Sequence, residues 1–133
     1  MHEIDEHISL RAGSIEDIEA VYSLNKAVFS ECWSRASLYS SIESGYDLLL
    51  CEANGMLVAY LLSLSILDEV QIMQIAVSND YRRQGLASRM TNSFISSATD
   101  IATITLEVRL SNQAARACYA HLGFEEVGYR KNY

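Results

Sequence analysis

Six consecutive residues, Arg82-Arg83-Gln84-Gly85-Leu86-Ala87, carry the densest chemical signal in this 133-residue chain. They follow a strand-like segment and open a helix-like one. The first amides of a helix have no partner within it, and the helix dipole is positive at that end. Together these features bind phosphate. Gly85 and Ala87 keep the backbone bare, so a pyrophosphate can approach. Arg82, Arg83 and Arg89 add positive charge nearby. The segment is not a Walker loop, because no Gly-Lys-Ser/Thr follows. It is not the dinucleotide fingerprint either, because it holds a single glycine. As a bare pattern, R-x-x-G-x-A is also an ordinary turn, so its value comes from context.

Other reactive side chains narrow the chemistry. The three cysteines, Cys32, Cys51 and Cys118, lie far apart with no CxxC spacing. That argues against a disulfide framework and against zinc, so no metal is expected. Each sits among apolar neighbours and reads as a small buried hydrophobe. A reducing cytoplasm is the compartment this implies.

The elements that position the phosphate segment follow from periodicity and turn chemistry. Residues 7–12 read as a strand. Ser14 caps a helix with acidic residues in its first turn. Ile15, Ile18, Val21, Tyr22, Ala27, Val28 and Phe29 give that helix an approximate stripe. Ser34 caps a second helix, with Leu38, Tyr39 and Ile42 inward and Gly45 as its stop. Residues 47–53 and 56–66 form a hairpin around Asn54-Gly55, a type I′ signal. Asp68-Glu69 turns the chain into a strand over 70–77. Its alternation slips near Met73-Gln74, the mark of a β-bulge. Then come a helix over 86–99, a strand over 103–109, a helix over 114–122 stopped by Gly123, and a strand over 124–133. The order β-α-α-β-β-β-α-β-α-β predicts an α/β (α+β) fold: a mixed sheet with helices on both faces.

Length and charge set outer limits. A chain of 133 residues fits one domain, 1–133. Hydrophobic content is 50% and mean hydropathy +0.05, with no apolar run near the length of a membrane span. The start, Met1-His2-Glu3-Ile4-Asp5-Glu6, lacks the layout of a signal peptide. Membrane, secreted and disordered classes are disfavoured. Net charge is −7, unevenly placed: residues 1–80 carry 13 acidic and 3 basic side chains, residues 81–133 carry 4 and 7. A bulk nucleic-acid binder is not expected from this balance. It suits an acidic half facing a cationic partner and a basic half tolerating an anionic one, or charges that merely solubilise.

The segment Ile75-Ala76-Val77-Ser78-Asn79-Asp80-Tyr81-Arg82-Arg83-Gln84-Gly85-Leu86-Ala87-Ser88 resembles the acetyl-CoA-binding segment of the GCN5-related N-acetyltransferases (GNAT superfamily). Two further stretches resemble its RimI type, the ribosomal-protein alanine N-acetyltransferases. They are Leu106-Glu107-Val108-Arg109-Leu110-Ser111-Asn112 and the run from Ala117 through Leu122-Gly123-Phe124-Glu125-Glu126 to Asn132-Tyr133. Cys32-Trp33-Ser34 stands where that type has a Trp-Ser pair opening the second helix. Relatives of this type continue past the Asn-Tyr pair. The resemblance therefore implies that the family's C-terminal strand is missing here, which would weaken peptide selection.

The resemblance implies the GNAT fold and particular roles. Main-chain groups of Ile75, Ala76 and Val77 would pair with the pantetheine arm of acetyl-CoA. Amides of Arg83, Gln84, Gly85, Leu86, Ala87 and Ser88 would cradle its pyrophosphate, and Asn112 would hydrogen-bond the cofactor. Glu107 would be the base and Tyr119 the acid. Physical chemistry agrees, since a thioester is attacked by a neutral amine and a carboxylate can take the proton directly or through water. Burial of Glu107 in the sheet centre would strengthen it as a base. The leaving thiolate then needs a proton, which a phenol can give. Structural alternatives stand beside these roles: Glu107 paired with Arg109, Tyr119 as a core aromatic, Asn112 as a helix cap. His121 at a helix end and Trp33 read first as structural.

The same resemblance implies an acceptor that is a protein or peptide N-terminus, alanine first, of a ribosomal protein. An α-amino group has a pKa of about 8 against about 10.4 for lysine, so it sheds its proton at about 3 kcal/mol lower cost. No membrane partner is expected. The alternatives are acetylation of a small amine and a non-catalytic acyl-CoA-binding module.

Overall fold

The computed structural model describes residues 7–30, 32–97, 102–108 and 113–127. The elements are β1 (Ile8–Ala12), α1 (Ile18–Val28), α2 (Arg35–Glu43), β2 (Asp47–Ala53), β3 (Met56–Ile66), β4 (Glu69–Val77), α3 (Leu86–Ser97), β5 (Thr103–Leu106) and α4 (Gln113–His121). The strands form one sheet in the order β1-β2-β3-β4-β5. β1 to β4 are antiparallel neighbours, and β5 joins β4 in parallel. This is the expected mixed sheet. Of the expected closing strand, residues 124–127 are not strand, and 128–133 lie outside the described residues. The expectation about the family's last strand falls outside them as well.

Local chemistry sets the element ends. Ser14 Oγ accepts the Glu16 amide at 3.3 Å, and the Asp17 carboxylate accepts the Ser14 amide at 2.9 Å. This capping box holds a short 3-10 turn, Ile15–Asp17, that leads into α1. Arg11 then ties β1 to that entry and to β2, reaching Asp17 at 2.8 Å and Glu52 at 3.2 Å. Its guanidinium holds the Asp17 carboxyl below the ordinary range. Ser34 Oγ caps α2 by accepting the Ser37 amide at 3.0 Å. Asn54 and Gly55 take φ of +53° and +84°, as a type I′ turn requires.

Two cores form because β3 is buried on both faces. Tyr60 and Leu62 point to Val21, Leu24 and Leu38 of α1 and α2. Ala59 and Leu61 point to Leu86 and Met90 of α3. Tyr39, expected inward, is 49% exposed, whereas Leu38 is 1% exposed. Leu38 and Ile42, four residues apart, define the inward stripe, and Tyr39 sits a third of a turn off it. Cys51 is buried as expected, but Cys32 and Cys118 are exposed. Each lies outside the two-sided strands that swallow Cys51: one before α2, one on the outer side of α4.

The feature that shapes the site is a slip between β3 and β4. Leu62 pairs with Gln74 and Ser63 with Ile72, so Met73 is an extra residue in β4. This is the bulge that the broken alternation predicts. A bulge bends its strand and sharpens its twist.

Candidate active site

Pairing of β4 with β5 starts at Glu69–Thr103 and ends at Ile72–Leu106. The next β4 residue is the bulged Met73. Past this point, among the described residues, Ile75, Ala76 and Val77 keep their β3 partners but have none on the β5 side. β4 therefore presents an edge of main-chain donors and acceptors inside the fold. Ala76 is 1% exposed and anchors this edge in the α1/α2 core. Ile75 and Val77 pack toward α3. An extended ligand with amide groups can add to such an edge as a further strand.

The edge leads into the phosphate segment. Ser78 donates its amide to Val58 O at 2.8 Å, which closes the end of β4. A 3-10 turn, Asn79–Tyr81, follows. Arg82 Nε donates back to Val77 O at 3.4 Å. Arg83 and Gly85 are left-handed, with φ of +66° and +75°. Helical bonding begins with the Arg89 amide on Gly85 O at 2.9 Å, so Leu86, Ala87 and Ser88 are the first-turn donors of α3. A Cβ built on Gly85 would meet nothing within 4 Å, so open space faces it. Arg83, Gln84 and Gly85 are exposed and Leu86 is buried against the sheet. This turn can hold a pyrophosphate, and the strand edge can hold the arm attached to it.

Glu107 follows Leu106 directly, at the point where β5 leaves β4. It is exposed, so the expected burial in the sheet centre is not found. The reason is that β5 ends at Leu106, before the glutamate. Tyr119 lies in the last turn of α4 and is half-buried. Burial pushes its phenol up to about 12, with the neighbouring Cys118 adding to the shift. Its position is set by the way α4 ends. Phe124 donates its amide to Tyr119 O at 3.0 Å, and Gly123 donates to Ala120 O at 3.0 Å. With Gly123 at φ +101°, this is a Schellman motif. The apolar contact that accompanies the motif is the edge-on packing of Phe124 against Tyr119, with centroids 6.0 Å apart. Asn112 lies outside the described residues. A cavity of about 180 Å³ lined by Gly13, Asp47, Ser63 and Phe94 includes neither Glu107 nor the Gly85 turn.

Sequence reasoning missed one group. Asn25 is fully buried on α1. Its Nδ2 donates to Tyr60 Oη at 2.7 Å and to Gln74 Oε1 at 2.9 Å. Its Oδ1 accepts the Trp33 amide at 2.8 Å, and Tyr60 Oη donates to Gln74 Oε1 at 2.8 Å. The available signal was an asparagine four residues after Val21, inside the apolar stripe of α1.

A mixed sheet with an open inner strand edge, continued by a glycine-led helix start, defines an acyl-CoA N-acyltransferase architecture. Comparison with known proteins makes this specific. Residues 18–124 match the acetyltransferase (GNAT) family. The [ribosomal protein bS18]-alanine N-acetyltransferase of Escherichia coli strain K12 is 35% identical over 119 residues, 88% of this chain and 80% of that one. The crystal structure of the ribosomal-protein-S18-alanine N-acetyltransferase from Escherichia coli aligns with a TM-score of 0.89 at 32% identity, over 96% of this chain and 83% of that one. An aminoglycoside N-acetyltransferase in complex with CoA shares the fold, with a TM-score of 0.77 at 15% identity over 100% of both chains. The chain belongs to the GNAT family, and it is an acetyl-CoA-dependent N-acetyltransferase.

Proposed function

We propose that this enzyme acetylates the α-amino group of a protein N-terminus that begins with alanine, on a ribosomal protein. The observation that carries this acceptor is the likeness to the bS18-alanine enzyme over 88% of the chain. The acidic first half of the sequence favours a cationic protein substrate. The cytoplasm is the proposed compartment; no helix among the described residues is long and apolar enough to cross a membrane.

The donor sits, in this reading, with its pantetheine amides along Ile75, Ala76 and Val77. Its pyrophosphate takes the amides of Arg83 to Ser88, and Asn112 adds a hydrogen bond. An amide near the Met73 bulge stabilises the tetrahedral oxyanion. The neutral amine attacks the thioester carbon directly, forming the C–N bond in a ternary complex. Glu107 takes the proton that the nitrogen loses. Its exposure fits relay through one water. The C–S bond then breaks, and Tyr119 supplies the proton that the sulfur needs. A phenol raised to about 12 stays protonated throughout the neutral range, as a donor must. It is also a weaker acid than a thiol of about 8.5, so the sulfur must be held against it while the C–S bond breaks.

A peptide panel varied at its first residue, incubated with acetyl-CoA and read by mass, tests this. Alanine-first peptides should gain one acetyl group fastest. Faster acetylation of a polyamine or aminoglycoside would replace the acceptor, and coenzyme binding with no turnover would leave a binding module.

A further inference from the structure

We propose that Asn25 is a positioning residue: with Tyr60 and Gln74 it forms a buried strut that couples the donor strand to the Trp33 segment. The proposal rests on the reading of β4 as the donor strand and deepens it.

The geometry is complete at every atom of the Asn25 amide. Both Nδ2 protons are used, one on Tyr60 Oη at 2.7 Å and one on Gln74 Oε1 at 2.9 Å. Its Oδ1 is used by the Trp33 amide at 2.8 Å. A flipped amide would face Gln74 Oε1 with an oxygen and the Trp33 N–H with protons, so one orientation survives. Tyr60 Oη closes the triangle by donating to Gln74 at 2.8 Å. Asn25 and Tyr60 are both fully buried. Buried polar groups are costly unless every partner is present, and a satisfied set then admits a single arrangement.

The strut joins β4 to the segment that opens α2. Gln74 lies between the bulged Met73 and Ile75, where the open edge of β4 begins. Trp33 lies at the opposite end, directly before the Ser34 cap of α2. Met73 and Trp33 also pack against the same core. A ligand that pairs with Ile75 fixes the backbone beside Gln74. Through Asn25 that fixes the Trp33 amide, and with it the segment between α1 and α2. Donor binding thereby sets the wall against which an acceptor settles.

Trp33 is the one tryptophan of the chain, so its emission reports on this segment. Coenzyme A alone is the probe. In the wild type, coenzyme A should shift Trp33 emission and reduce its quenching by acrylamide. Tyr60→Phe keeps the ring and removes one arm of the strut; Asn25→Ala removes the hub. Both should bind coenzyme A within about twofold of wild type by calorimetry, yet lose at least about half of the emission response. Peptide KM should rise about tenfold, the size of one lost buried hydrogen bond, with kcat within about threefold. Full wild-type emission response in a folded Tyr60→Phe protein would overturn the strut, as would coenzyme binding by the wild type that leaves Trp33 unmoved. If Asn25→Ala fails to fold, Tyr60→Phe decides. If the wild type acetylates no peptide, the acceptor reading fails while the emission experiment still judges the strut. No coenzyme binding at all would overturn both the donor strand and the strut.

Discussion

Leu106 is the last residue of β5 to pair with β4, and its partner, Ile72, is the residue just before the bulge. The end of one strand and the bend of the next therefore coincide. Past that pair, among the described residues, the two strands no longer pair; Ile75 lies further along one and Glu107 follows the other. A longer β5 beside a regular β4 would continue the pairing.

Deleting Met73 tests this relationship. Leu62–Gln74 and Ser63–Ile72 would then become consecutive partners in a regular ladder. The sheet should persist by circular dichroism. Coenzyme A affinity should fall about 10- to 100-fold, the loss of one or two net hydrogen bonds to a misdirected edge. Unchanged affinity would remove the bulge from the account.

Glu107→Gln and Tyr119→Phe should each lower kcat, by about 10² or more for the base, with coenzyme A affinity little changed. Thiol release and calorimetry read the two quantities separately. A double variant with full activity refutes both roles.

Gly85→Ala isolates the phosphate turn. The added Cβ meets no atom, so the cost is the left-handed backbone alone, about 1–2 kcal/mol. Gly55→Ala has the same handicap at φ +84° in the remote hairpin. Both should lower Tm comparably, but only Gly85→Ala should weaken coenzyme A binding. Equal affinities in the two variants would show that the turn does not touch the donor.

Phe124→Ala should act on chemistry through Tyr119. It removes the ring that packs edge-on against the phenol and the apolar contact of the Schellman motif. A half-buried phenylalanine should cost about 2 kcal/mol of stability. The kcat should fall while coenzyme A affinity holds, and Phe124→Leu should recover part of both losses. Full activity in a folded Phe124→Ala protein would show that Tyr119 needs no such support.

Alkaline pH should destabilise the fold. Burial holds Tyr60 and Tyr119 at about 12, against about 10 in the unfolded chain. Between those values the folded protein keeps protons that the unfolded chain has lost. The contribution is whole below about pH 10 and fades as pH rises through about 12. Urea midpoints from pH 8 to 11.5 should therefore decline, and less steeply in Tyr60→Phe. Parallel slopes in the two proteins would contradict this.

Much of the fold was legible because short-range chemistry decides it. Asn54-Gly55 needs two positive φ values, Ser34 and Ser14 offer caps, and the apolar alternation breaks at Met73 itself. The turn before α3 was legible for the same reason, since Gly85 introduces a helix. What escaped depends on distant partners. The exposure of Glu107 follows from where β5 stops pairing with β4, which neither strand encodes alone. Tyr39 was misplaced because one residue of rotation separates it from Leu38. Cys32 and Cys118 have apolar neighbours in sequence but not the two-sided cover that buries Cys51. Asn25 reaches partners 35 and 49 residues away, beyond any local pattern.

Among the described residues, the flank of β4 past Ile72 has no β5 partner, which also bears on how the empty protein behaves in solution. A strand flank without a partner can pair with another chain that reaches it. Here the coenzyme would shield that flank as well as deliver the acyl group. In the proposed reading the donor completes the sheet, and light scattering by the protein should fall when coenzyme A is added.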